Sequence, residues 1–409
     1  MNISNINVFK FKINKILLKK VGKNMNVNKC FLKDQIDSLF DLLPIQLENS
    51  RKTIEENVHK EDFMHFRHVY IVASGDSYMA ALAGQRAFEK YANKYAVHYH
   101  AVKAMEISRF NEFTDKDLNE QTLVIVISKS GIGSRVIEVL KRVNALNMTG
   151  MVTTDSIDSK AVELAKYSLY TDTPKFTNDR PALRSYFAAM VTLYLLAARF
   201  SEMYGNSMNM ETMSKNIHDY MLLYKDKIAV YDEQMMKLAE MYKHANSITF
   251  VGDSDEQSSC NFAVSKVIEV TGIHSKSDDS EEYGHINYFN HYVVTNPVFF
   301  IANSLNSNMS RVLETIKQSI AVGRPTYLMI NENSEVEDIE GLSKIMLPSV
   351  EDDVLQSLGS YIPATILANH ISDLLDEPLF RGNIYPEGFN TIRNSKIVVY
   401  GEDENEIIS

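Results

Sequence analysis

The stretch TLVIVISKSGIGSRVIEVLKRV, residues 122–143, decides the fold. Its first six residues are apolar and mostly β-branched, with no helical period, so they read as a strand buried on both faces. From Ser134 the apolar residues recur at helical spacing, so a helix packs back onto that strand. Between them lies SKSGIGS (128–134), with three hydroxyls, one lysine and two glycines. A strand, a short polar loop and a helix are the repeating unit of a parallel sheet covered by helices.

The same alternation runs outward in both directions. HVYIVAS, VHYHAV, TGMVTTD and SLYT read as further strands, with GDSYMAALAGQRAFEKYA, SKAVELAKY and ALRSYFAAMVTLYLLAARF as helices. It restarts with SITFVGDS, followed by helix, strand (NPVFFIANS), helix, two strands (PTYLMIN, KIMLP) and a long helix over VLQSLGSYIPATILANHISDLL. HVYIVASGDS and SITFVGDSDE open the two halves alike, which implies an internal duplication. The expected class is α/β, two tandem doubly wound parallel-sheet units with a helical N-terminal segment and a C-terminal tail. The divisions are 1–45, a basic extension and N-terminal helix; 46–204, the first unit; 205–245, a helical linker read as a helix pair; 246–375, the second unit; and 376–409, the tail. Pro44 is expected to break the N-terminal helical segment in two.

The 409 residues suffice for two cores. Net charge is −11, which disfavours a nucleic-acid partner. The apolar runs are too short to cross a bilayer, so no membrane partner is expected. Two distant cysteines, Cys30 and Cys260, form no disulfide framework and suit a cytoplasmic setting. Residues 1–24 hold six lysines and no acid. They read as a targeting or membrane-surface arm, or as sequence upstream of a start at Met25.

Ligands of open α/β sheets bind beyond the carboxyl ends of the strands. SKSGIGS lies at such an end, where backbone N–H groups and a helix start favour a phosphate. Ser128, Ser130 and Ser134 add hydroxyls, Lys129 a cation, and Ser77 of GDS comes from the neighbouring strand end. An ordinary turn with capping serines has the same composition. In the second half, Lys266 and Glu269 are neighbours on one helix face, beside an apolar arc. Such a carboxylate suits proton transfer, and such a pair also serves as a surface ion pair. His65, His68, His98 and His100 have metal-compatible spacings but lack a completing ligand. No metal and no cofactor is expected.

GDSY (75–78) and ISKSG (127–131) resemble the paired motifs of sugar isomerase (SIS) domains. The resemblance covers nearly the whole chain after Met25, as two tandem SIS domains of the flavodoxin-like kind. It is similar to the isomerase part of glucosamine-6-phosphate synthase, and to the single-function sugar-phosphate deaminases and deglycases. It implies that Ser77, Ser128, Lys129 and Ser130 line a phosphate site. The family has glutamine at Lys129 and threonine at Gly133, with Ser134 offering a substitute hydroxyl.

From Phe250 to Glu269 the resemblance runs without a gap, placing the family's K-x-x-E on Lys266 and Glu269. An E-x-x-H falls on Glu282 and His285, and the family's His-Gly-Pro is here His285-Ile286-Asn287. The resemblance implies that Glu269 shuttles the proton. His285 would open the sugar ring from the partner subunit of a homodimer with a shared active site. Lys396 of RNSK would contribute to the open-chain site, and Arg184 stands where the family carries a lysine. The 45 residues before the first unit offer no context for a nucleophilic cysteine, so glutamine hydrolysis is not expected, and isomerase, deaminase or deglycase chemistry on a hexose or hexosamine 6-phosphate is. A phosphosugar-binding regulator without turnover is the alternative.

Overall fold

The computed structural model describes residues 30–291, 293–375, 380, 395–400 and 407–408. The basic extension 1–24 and most of the tail from 376 lie outside the described residues.

Two helices, α1 (Leu32–Asp37) and α2 (Leu39–Asn57), open the fold. The break falls at Ser38, and Pro44 sits inside α2. It stands near the helix start, where its missing N–H removes only one backbone bond.

The first sheet holds β1 (His68–Ala73), β2 (His98–Lys103), β3 (Thr122–Ile127), β4 (Thr149–Thr154) and β5 (Tyr167–Tyr170), all parallel, in the order β2-β1-β3-β4-β5. Helix α3 (Asp76–Tyr91) follows β1, α4 (Ser134–Ala145) follows β3, and α5 (Arg184–Tyr204) closes the unit. Every residue of β3 is buried, as its unbroken apolar run requires.

Residues 205–245 hold a single 33-residue helix, α6 (Met210–Tyr242), where a helix pair was expected. No glycine or proline interrupts that span, and Met213, Ile217, Met221 and Tyr224 give it one continuous buried stripe.

The second sheet is β6 (Ser247–Val251), β7 (His274–Asp278), β8 (Val298–Ala302), β9 (Thr326–Asn331) and β10 (Leu342–Leu347). Its order, β10-β9-β8-β6-β7, is that of the first sheet read from the other edge. Helices α7 (Glu256–Thr271), α8 (Ser280–Ile286), α9 (Met309–Ala321) and α10 (Ile362–Leu375) cover it. The long helix expected after Asp353 is split: a 3-10 turn over Asp353–Leu358 precedes α10. Gly359 lies at the break because Tyr224 of α6 packs there; a Cβ would stand 2.3 Å from the Tyr224 ring.

One apolar core runs through both units, and a smaller core lies on the far face of each sheet. The units meet through α3 and α7, which run antiparallel: Asp76 at the start of α3 bonds Lys266 late in α7, and Arg86 late in α3 bonds Asp255 before α7. Among the described residues no helix is long and apolar enough to cross a membrane.

Candidate active site

In both sheets the chain reverses direction after the second strand, and the crevice at that switch point opens at the strands' carboxyl ends. In the first sheet it lies between β1 and β3. The two loops singled out in the sequence, at Ser77 and at Ser128–Ser134, flank it.

The β3 loop is tied to the end of β4. Ser128 N–H donates to the Thr153 carbonyl (3.0 Å), Asp155 N–H to the Lys129 carbonyl (3.1 Å), and Ala161 N–H to the Gly131 carbonyl (3.0 Å). The Ser128 hydroxyl accepts Gly131 N–H at 3.2 Å. Gly131 has φ +61°, and a Cβ there would lie 2.1 Å from Ser159 Oγ, so only glycine closes this turn. The loop delivers the start of α4, with its free N–H groups, to the crevice.

Ser77, in the first turn of α3, lines a small pocket with Lys129, Thr154 and Ser185. A cavity of about 500 Å³ adjoins it, sharing Lys129, Asp155 and Ser185. That is ample for a sugar phosphate. Ser130 is half-buried in the same loop. Lys129 turns to Asp179 at 3.0 Å, on the far lip of the cavity. Arg184 lines the cavity too, but its guanidinium donates to Ser38 Oγ (2.7 Å) and the Pro174 carbonyl (3.1 Å) and stacks on Phe176. It pins the 174–176 loop.

Ser134 is buried, and its hydroxyl accepts the Ser395 N–H at 3.3 Å. The tail is held there by Glu138, which accepts from Arg109 (2.9 Å), Arg135 and the Val398 N–H (2.7 Å). Arg109, Arg135 and that N–H, against the cost of burial, hold the Glu138 carboxyl below its ordinary range. The Lys396 carbonyl accepts from Arg109 and Arg135, and its side chain is exposed beside the start of α4.

The second unit supplies the titratable centre. Lys266 is 0% exposed. Its ammonium donates to Glu269 Oε2 at 2.6 Å and to Asp76 Oδ2 at 2.7 Å, and lies 4.7 Å from the Phe262 ring centroid. The two carboxylates outweigh the burial that opposes the charge, so Lys266 stays an ammonium. Burial, with Asp76 adding to it and Lys266 opposing, raises the Glu269 carboxyl above its ordinary value. Asp76 immediately precedes Ser77, and Lys266 bonds both Asp76 and Glu269, so Glu269 is linked through one shared cation to the serine-lined crevice. Sequence reasoning missed Asp76, because its partner is 190 residues distant.

His285 is not brought to Glu269 within the chain. It is 65% exposed on α8, and its Nε2 lies 2.8 Å from Glu281, the i−4 neighbour, with Glu282 not involved. Arg311 holds the other oxygen of Glu281 at 2.5 Å. His68, His98 and His100 stack on the β1–β2 edge, with ring centroids 5.3–6.4 Å apart. No group of three or more His, Cys, Asp or Glu among the described residues is arranged to hold a metal.

Two parallel five-stranded units with a hydroxyl-lined crevice define the class: a tandem, doubly wound α/β protein. Residues 63–199, within the first unit, match the SIS domain family. Among curated proteins, the glutamine–fructose-6-phosphate aminotransferase (isomerizing) of Thermococcus kodakarensis is 24% identical over 77% of this chain and 50% of its own length. That of Clostridium tetani is 27% identical over 59% of this chain and 38% of its own. The chain thus spans half or less of the length of these relatives.

Solved structures share the fold. The C-terminal domain of glucosamine-fructose-6-phosphate aminotransferase from Francisella tularensis superposes with TM-score 0.68 at 18% identity, covering 83% of this chain and 95% of that one. A putative tagatose-6-phosphate ketose/aldose isomerase from Clostridium novyi gives 0.69 at 16%, covering 91% and 96%. The glucosamine-6-phosphate deaminase of Thermotoga maritima gives 0.59 at 18%, covering 83% and 95%.

Proposed function

We propose that the chain is a cytoplasmic phosphosugar enzyme that moves a proton between C1 and C2 of a hexose or hexosamine 6-phosphate. The observation that carries this is the placement of Glu269: half-buried, charge-paired, and tied through Lys266 to the residue before Ser77. The phosphate sits on the N–H groups and hydroxyls of Ser77, Ser128, Ser130 and the α4 start. The open chain then extends toward Glu269.

The carboxylate takes the proton from C2 of the aldose, leaving an enediol, and returns it to C1 as the ketose forms. On a 2-amino aldose the same transfer gives a C2 imine. Water hydrolyses it to the ketose and free ammonia. Lys266 keeps Glu269 oriented, and Lys396 reaches the open chain from the docked tail.

Ring opening falls to His285 of a second copy. His285 is exposed, and Ile286, Phe289 and Val294 beside it present apolar side chains to solvent, which suits a buried contact between copies. The active unit is a homodimer.

A regulator that binds phosphosugars without turnover is the second reading. Two engaged groups favour it: Lys129 is held by Asp179, and Ser134 by the tail. Ammonia release from glucosamine 6-phosphate and interconversion of fructose and glucose 6-phosphates, on one preparation, separate the readings. Turnover lost in Glu269→Gln supports the enzyme; thermal stabilisation by both sugars without turnover supports the regulator.

A further inference from the structure

Helices α3 and α7 are both 16 residues long and carry matching side chains. Arg86 and Lys266 each stand ten residues after the first residue of their helix, and Glu89 and Glu269 three residues further on. Each cation bonds its i+3 glutamate and an aspartate at the start of the opposite helix. Arg86 reaches Asp255 at 2.6 Å, and Lys266 reaches Asp76 at 2.7 Å. The contact between units is therefore a pair of acid–cation–acid clasps related by an approximate twofold axis.

The two arms differ in ways that matter. Lys266 is 0% exposed and Arg86 39%. A guanidinium serves two carboxylates with separate N–H groups in a fixed fork, whereas an ammonium is one compact charge. Where the Lys266 clasp meets the serine-lined crevice, the Arg86 clasp meets the loop after β6. There Asp253 accepts from Ser280 N–H (2.7 Å) and Asn308 Nδ2 (2.5 Å).

We infer that Asp76 is a positioning residue for Glu269: by holding the Lys266 ammonium from across the unit boundary, it leaves Glu269 a carboxylate that shares its counter-ion and can carry the travelling proton. This rests on reading Glu269 as the proton carrier. Three charges, two negative and one positive, leave the clasp short by one positive charge. A proton arriving on Glu269 restores neutrality without breaking the Lys266–Asp76 pair. Without Asp76, Lys266 would belong to Glu269 alone and hold it as a poor base.

The test compares Asp76→Asn with Asp255→Asn, the same change in the other arm. Glu269 is titrated directly by carbon NMR on chains labelled at the glutamate carboxyl, with its resonance assigned by Glu269→Gln. The pH profile of phosphosugar turnover is measured beside it. Asp76→Asn should move the Glu269 titration and the acid limb of the profile to lower pH. It should also lower kcat at least tenfold with no rise in KM. Asp255→Asn should leave the Glu269 titration in place, although either change lowers the melting temperature. An unmoved titration in Asp76→Asn, or equal shifts in both variants, overturns the inference. Should Asp76→Asn fail to fold, Asp76→Ser, which suits a helix start, takes its place. Absence of turnover would sink the functional reading alone, since the NMR titration tests the positioning without it.

Discussion

The Ser395 N–H bonds the Ser134 hydroxyl, so the segment at Ser395 rests on the first helix turn after the loop expected to hold a phosphate. Glu138, buried under both, is the anchor of that contact. Its carboxyl is held below its ordinary value, so the stabilisation it gives is complete above the unfolded-state value of about 4.3 and is lost as pH falls through the lower folded-state value. Hydrogen-exchange protection at residues 395–400, measured relative to the intrinsic rate at each pH, should be high at neutral pH and fall in acid. Glu138→Gln should show the low protection already at neutral pH.

Removing the shared cation tests how tightly the units are clasped. Lys266→Met leaves Asp76 and Glu269 without their counter-ion, and losing one member of a buried charge cluster costs about 3–5 kcal/mol. Denaturant unfolding should show that loss at neutral pH. It should shrink as the pH is lowered and the carboxyls protonate.

Glu269→Gln keeps the side-chain shape and removes the proton acceptor. Turnover should fall about 10²–10⁴-fold, the range for loss of a general base. Thermal stabilisation by the sugar phosphate should persist, because Ser77 and the β3 loop are untouched. Loss of binding together with turnover would contradict the assigned role.

Gly131→Ala combines a positive φ with a Cβ 2.1 Å from Ser159 Oγ. The loop must shift, at about 1–3 kcal/mol of strain. Calorimetry should show weaker phosphate binding in this variant. In Gly133→Ala, where the nearest atom would lie at 3.6 Å, affinity should change little.

Burial, with the neighbouring imidazoles, holds the His68 proton affinity below normal, and burial and His98 do the same at His100. A base with a lowered value stabilises the fold above the unfolded value of about 6.5 and loses that contribution as pH falls through the folded one. The melting temperature should therefore drop between neutral and mildly acidic pH, and less so in His68→Gln.

The two sheets were legible because buried parallel strands carry continuous apolar runs, as in TLVIVI and PVFFIA. Interruptions were less so. Pro44 looked like a helix end, yet Ser38 is the break. The helix after Asp353 is cut at Gly359 by a tyrosine 135 residues earlier in the chain. At the site, Lys266 and Glu269 were readable because three residues along a helix make neighbours. Asp76 was not, since nothing local marks an aspartate at one helix start as the partner of a lysine in another unit. The family resemblance drew attention to Glu282, whereas the i−4 geometry of α8 selects Glu281 for His285.

The paired clasps also bear on ancestry. A lone unit with a helix like α3 or α7 would present a cation and a glutamate on one end and an aspartate on the other, each lacking its counterpart. Only a second copy, turned end for end, could satisfy them. The founding gene would then have encoded a symmetric dimer with two equal sites, which fusion locked into one polypeptide. From that moment the two clasps were free to diverge, one built on a buried lysine and the other on a part-exposed arginine.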